Sequence, residues 1–308
     1  MLALGRLLRL SLAPSAAADA AVGVLLGSSG WPSGGAPWLQ IAGALGVYHG
    51  GMALNDWADR RHDGATRPER PIPSGQIPAG AALFLGLALT LTGPLLAYLA
   101  VPLAGQVLGL VALVSLAYNL GLRGSFIGPF LLGTCRAANL SAGVLCGRGL
   151  SPDPTAGVAL WLVLVAAGYG LYVFLLSCLA RYEDLEAGPL PGAGSPFHPR
   201  KLLALAACVL ALLPLLRALD GSAPRAWIAA GCGLAVIGAS GLLRRVRAID
   251  DWNPSAILGA MGMGLRRLLV VTGSLALTQG GTIGVGVAAC VLCGYPVSYA
   301  LRRVFPPS

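Results

Sequence analysis

The chain has 308 residues, 56% of them hydrophobic and only 11% charged, with a mean hydropathy of +0.75. Soluble domains carry about 25% charged residues, and a soluble fold of this size has too little interior to hide so much apolar surface, so a water-soluble protein is excluded. The net charge of +9, from 20 Arg and Lys201 against 12 acids, does not mark a nucleic-acid binder, because the arginines cluster in short loops between apolar runs, where the positive-inside rule places them.

Arg6 and Arg9 precede the first apolar run, 12–30, which reads as a retained span because no small-residue cleavage site follows it in a polar context. Further runs lie at 38–58, 77–99, 101–121, 125–147, 156–182, 200–218 and 224–243. Runs of about 20 apolar residues are long enough to cross a ~30 Å hydrocarbon core. The stretch 254–303 reads either as one amphipathic segment and a long helix, or as a helical hairpin bent near Gly280 and Gly281. Backbone groups inside a bilayer must be bonded internally, and these runs are too long and too unalternating for barrel strands. The expected class is therefore all-α: a multi-pass bundle of nine, possibly ten, helices forming one transmembrane domain over 1–308. The seven cysteines fall in or beside apolar segments, which predicts small hydrophobes rather than disulfides. That includes the pair Cys290 and Cys293, despite its CxxC spacing.

Counting basic residues orients the bundle. With the N-terminus on the cytoplasmic side, 15 of the 21 basic residues fall in cytoplasmic segments and three (Arg148, Arg217 and Arg225) on the other side. Arg302 and Arg303 favour ten crossings. Even-numbered spans end on the starting side, so the polar clusters at 55–75, 118–123 and 181–186 all emerge at the cytoplasmic face. Three distant pieces of sequence can thereby build one site.

The richest piece is Asn55-Asp56-Trp57-Ala58-Asp59-Arg60-Arg61-His62-Asp63. On a helix, positions 55, 59 and 63 share a face, and Asp56 lies on the same broad stripe. Ionisable groups at such a depth are costly and mark function. Oxygen-only donors favour Mg²⁺, which keeps waters and binds through substrate phosphates. The next stretch is Thr66-Arg67-Pro68-Glu69-Arg70-Pro71-Ile72-Pro73-Ser74-Gly75. Its prolines deny it a regular helix, and Arg67 and Arg70 can fork onto phosphate oxygens.

Together, Asn-Asp-x-x-Asp-x-x-x-Asp and Arg-Pro-x-Arg-Pro-Ile-Pro-Ser-Gly resemble the first signature of the UbiA superfamily of intramembrane prenyltransferases. The resemblance implies that Asn55, Asp56, Asp59 and Asp63 hold Mg²⁺ on a polyprenyl diphosphate, with Arg67 and Arg70 in the loop that follows. Tyr118 and Arg123, at the end of the fourth span, match the Tyr and basic residue that the family places near the diphosphate. After the sixth span the family has an Asp-x-x-x-Asp pattern. Here the sequence departs from it, with Arg181-Tyr182-Glu183-Asp184-Leu185-Glu186. Glu183 and Asp184 are the candidates for a second metal, and Asp184 joins Asp56, Asp59 and Asp63 as a catalytic candidate.

Arg136 and Asn139 sit one turn apart within the fifth span and are candidates for binding an acceptor carboxylate or hydroxyl. His49, seven residues before Asp56 on the same face, is a candidate for lining the pocket. The expected activity is Mg²⁺-dependent prenyl transfer in the cell membrane, with the site facing the cytoplasm. The expected partners are a polyprenyl diphosphate, a small-molecule acceptor (commonly aromatic in this family) and the lipid bilayer. Two alternatives stand beside it: a family member that binds prenyl diphosphate without transferring it, and a membrane transporter.

Overall fold

A computed structural model describes residues 2–28, 30–122, 126–151, 158–182, 191–192, 194–221 and 223–305. All regular structure among them is helical. The helices are α1 (Leu2–Leu7), α2 (Ala13–Gly27), α3 (Ala36–Thr66), α4 (Ala79–Ala100), α5 (Pro102–Asn119), α6 (Ile127–Gly149), α7 (Leu160–Ala180), α8 (Pro199–Leu212), α9 (Arg225–Ala248), α10 (Pro254–Arg266), α11 (Leu268–Gln279) and α12 (Gly281–Val304). Nine helical segments among the described residues are long and apolar enough to cross a membrane. Large apolar side chains face outward along them, as with Phe84 (75% exposed) and Leu91 (70%) on α4. Such a surface needs lipid, since soluble monomers do not leave broad apolar patches open.

The expected span 38–58 is not one of those nine. It forms the first two thirds of α3, and its Gln40, His49, Asn55 and Asp56 lower its hydropathy below that of its neighbours. The helix also outruns the expected end by eight residues. Residues 59–66 are polar but contain no breaker, and the helix stops only where Pro68 approaches. For 254–303 the hairpin is the alternative realised: Gly280 (φ 76°) and Gly281 (φ 64°) turn α11 into α12 in a backbone region that favours glycine. Pro214 interrupts the expected span at 200–218, so α8 gives way to a 3₁₀ stretch, Leu213–Leu219.

The chain divides into two compact units. The first comprises 1–123, 138–155 and 293–308; the second comprises 124–137 and 156–292. In the first, α2 crosses the second half of α6 through paired glycines four residues apart, Gly23 and Gly27 against Gly143 and Gly147. A Cβ on Gly143 would stand 2.6 Å from the Ala20 carbonyl oxygen and 3.0 Å from the Gly23 Cα, so only glycine lets these backbones meet. The Leu7 side chain is fully buried against Ala53 of α3 and Ala82 of α4, which fastens the N-terminal segment down. Ser298 of α12 donates to the Ser11 carbonyl (2.5 Å), and the Phe305 ring lies against Gly5, so the two ends of the described chain meet.

In the second unit, α11 is buried along nearly its whole length. Tyr169 and Tyr172 of α7 are fully enclosed, and the Tyr172 hydroxyl donates to the Gly264 carbonyl (2.7 Å) at the end of α10.

Candidate functional site

The polar end of α3 builds the site, and helical geometry decides which acids face inward. At about 100° per residue, positions 56 and 63 lie about 20° apart around the axis, and 55 and 59 about 40° apart. Asp56 (2% exposed) and Asp63 (1%) accordingly point inward together, whereas Asn55 and Asp59 are half-buried beside them. Asn55 Nδ2 donates to Asp59 Oδ2 at 3.0 Å. The four residues singled out in the sequence thus share one broad stripe as two coupled pairs.

The Pro-rich loop after α3 delivers the balancing charge. Pro68, Pro71 and Pro73 prevent a helix, and a run of turns takes its place, with Arg70 N–H donating to Arg67 O and Ser74 N–H to Arg70 O. Ser74 Oγ also donates to the Arg70 carbonyl (2.7 Å). Held in this way, the Arg70 side chain folds back over α3. Its Nη1 lies 2.7 Å from Asp63 Oδ2 and 3.7 Å from Asp56 Oδ1, and the residue is 5% exposed. Arg67 caps the helix through its backbone, its N–H donating to Asp63 O (2.8 Å).

A second guanidinium arrives from a place the motif did not indicate. Arg9, in the bend after α1, puts Nη2 3.2 Å from Asp56 Oδ1. Its backbone has φ 49°, and Arg9 is the one non-glycine residue with positive φ among those described. A left-handed conformation costs such a residue about 1 kcal/mol. Two buried acids therefore face two guanidiniums. Asp56 Oδ2 is buried with no hydrogen-bond partner among the described residues. The sequence showed Arg9 only as a positive-inside charge, because its partner lies 47 residues away.

His49 Nδ1 meets the Leu8 carbonyl at 2.7 Å and ties the N-terminal segment to α3. Tyr118 is half-buried in the last turn of α5. The adjoining Asn119 donates to the Gly51 carbonyl (3.1 Å), one turn before Asn55, and so anchors that turn to α3. Asn139 belongs to the first unit, where its Nδ2 makes long contacts of 3.4 Å to Ala16 O and Asp19 Oδ2 of α2. Asp19 is fully buried and was missed as a candidate, although an acid inside an alanine-rich span was the signal. Arg136 belongs to the second unit and is half-buried. Arg123, Glu183 and Asp184 lie outside the described residues.

Among the described residues, no three Asp, Glu, His or Cys side chains come together as a ready-made metal cage. The donors nevertheless suit Mg²⁺: they are oxygen ligands, and one buried carboxylate oxygen has no partner among the described residues. Mg²⁺ at phosphate sites takes one or two carboxylates and fills its shell with water and substrate oxygens, so a protein cage is not required.

Residues 16–265 match the model of the UbiA prenyltransferase family. The chain is 33% identical over 165 residues to a digeranylgeranylglyceryl phosphate synthase from Methanothrix thermoacetophila, covering 51% of this chain and 54% of that one. It is 41% identical over 85 residues to the synthase of that name from Ignicoccus hospitalis, with 28% of each chain covered. A 4-hydroxybenzoate octaprenyltransferase from Methylobacillus flagellatus is 27% identical over 221 residues, covering 70% of this chain and 72% of that one. The match thus spans about half the length, or less, of the first two of these relatives. The fold is that of a UbiA homologue from Archaeoglobus fulgidus solved with GPP and Mg²⁺, with a TM-score of 0.65 at 17% identity over 93% of this chain and 99% of that one. A homologue from Aeropyrum pernix K1 gives a TM-score of 0.63 at 16% identity, over 85% and 96%.

Proposed function

Since this chain belongs to the UbiA prenyltransferase family, we propose that it transfers a prenyl group from a polyprenyl diphosphate to an acceptor within the membrane, using Mg²⁺. The observation that carries the reading is the meeting of Asp56 and Asp63 with Arg70 beside the Asn55–Asp59 pair, at the polar end of a long bundle helix. Buried carboxylates and guanidiniums side by side suit a ligand that is itself a cation bound to an anion.

Bound Mg²⁺ would neutralise diphosphate charge and so ease departure of the leaving group. Asn55, Asp56, Asp59 and Asp63 hold the metal–diphosphate unit at the end of α3. Arg67 and Arg70 grip diphosphate oxygens, and they stabilise the charge gathering there as the allylic C–O bond breaks. Tyr118 and Arg123 complete the phosphate end. Glu183 and Asp184, which follow α7 in sequence, are assigned a second metal on sequence grounds alone. A bond forms between the allylic carbon and the acceptor atom, and the acceptor loses its proton. The acidic end lies on the cytoplasmic side of the cell membrane, by the distribution of basic residues.

The acceptor in this reading is an aromatic ring, of the kind named for the Methylobacillus relative. A hydroxyl acceptor on a glyceryl phosphate is a second reading, favoured by the higher identity to the two synthases. Arg136 and Asn139 are the candidates for either acceptor.

The test is diphosphate release by the purified protein in lipid. It is supplied with geranyl through longer prenyl diphosphates, a panel including 4-hydroxybenzoate and prenylated glyceryl phosphates, and Mg²⁺ or EDTA. Release should require both Mg²⁺ and one acceptor class. Binding of a prenyl diphosphate without release for any acceptor would favour the non-catalytic alternative and count against transfer.

A further inference from the structure

Resting on that reading of the acidic site, we propose that Arg9 is an exchangeable counter-ion. It neutralises Asp56 while the site is empty and becomes a ligand of the diphosphate once a divalent cation takes the carboxylate.

Four observations carry this. Asp56 is 2% exposed, and a carboxylate so enclosed requires a cation. Of the two guanidiniums that reach it, Arg70 is committed more closely to Asp63, at 2.7 Å against 3.7 Å to Asp56. Among the described residues Arg9 pairs with Asp56 alone, at 3.2 Å, and its side chain is 27% exposed against 7% for Arg70. It is therefore the cation with room to move. Its backbone, by contrast, is fixed: Leu7 is buried against Ala53 and Ala82, the Leu8 carbonyl is bound by His49, and Arg9 itself holds φ 49°. A pinned backbone, an unusual φ and a partly exposed guanidinium aimed at the acid together describe a charge set at the mouth of the site. When a cation binds Asp56 through Oδ1 or the unpartnered Oδ2, Arg9 is released within reach of the phosphate oxygens that accompany the metal. A guanidinium suits such oxygens because its planar fork can bind two at once.

This role gives opposite signs in two binding measurements, which a merely structural role would not. Full-length protein in lipid nanodiscs is titrated with Mn²⁺ alone, read by electron paramagnetic resonance, and with geranyl diphosphate in the presence of Mg²⁺. Relative to wild type, Arg9→Gln should bind Mn²⁺ about threefold more tightly, because the competitor for Asp56 has gone. It should bind geranyl diphosphate about tenfold more weakly, the loss expected for one charge-assisted contact. Arg9→Lys keeps the charge without the fork and should fall between the two in diphosphate affinity, which also secures the test if Arg9→Gln does not fold. Losing both affinities together in Arg9→Gln, or neither, would overturn the proposal while leaving the acidic site intact. Mn²⁺ binding that is unchanged by Asp56→Asn would overturn the reading of the site and this inference with it.

Discussion

Arg70→Leu tests the electrostatic design of the site most severely. The substitution removes the guanidinium shared by Asp56 and Asp63, both almost fully enclosed. Breaking a buried pair by deleting one partner costs about 3–5 kcal/mol, because the other charge stays buried. Asp56 keeps Arg9 at 3.2 Å, so the loss falls mainly on Asp63 and the lower figure applies, about 3 kcal/mol. At about 2–4 °C per kcal/mol for a large domain, the melting temperature should drop by about 6–12 °C. Thermal scanning with size-exclusion detection in detergent would read this. Asp63→Asn removes the stranded charge, so the double variant Arg70→Leu/Asp63→Asn should recover at least about half of the loss as coupling between contacting residues. A drop under about 2 °C for Arg70→Leu, or strict additivity in the double variant, would refute the reasoning.

Three further outcomes are expected. Asp59→Ala should lower prenyl transfer by about 100-fold or more while the protein elutes and melts as wild type, since Asp59 is half-buried; near-normal turnover would sink its metal assignment. Gly143→Val should cost at least about 1–3 kcal/mol and reduce the folded yield, because its Cβ would meet the Ala20 carbonyl oxygen at 2.6 Å. Gly109→Ala, whose Cβ would meet only Pro94 at 3.9 Å, should be neutral or stabilising by up to about 1 kcal/mol; equal behaviour of the two would contradict the close crossing of α2 and α6. Reporter tags at the two ends of the chain should label from the same side of the membrane, as the Phe305–Gly5 contact requires. Labelling from opposite sides would contradict that contact.

What the sequence made legible was local. The four polar residues of α3 share a stripe because helical periodicity is built into their spacing, and Arg70 folds onto them because three prolines leave the loop no helix to follow. The hairpin at Gly280 and Gly281 was readable as one of two alternatives, since glycine pairs mark turns. What escaped was the identity of distant partners. Arg9 looked like one more topology charge, and only folding sets it beside Asp56. Asn139 stood out as an acceptor candidate, and the sequence did not show that its Nδ2 reaches α2 across 120 residues. His49 stood out as a pocket candidate, and the sequence did not show that its Nδ1 fastens the N-terminal segment. The Gly23/Gly27 and Gly143/Gly147 spacings are visible in the sequence, but nothing local says that they face each other.

The central claim is transfer itself, and the most direct measurement is the mass of the acceptor after incubation with wild-type protein in lipid, a prenyl diphosphate and Mg²⁺. The expected product is an acceptor heavier by one prenyl group less the displaced proton, with no such product when EDTA is added or when Asp59→Ala replaces wild type. A prenylated product formed equally by Asp59→Ala, or in EDTA, would contradict it.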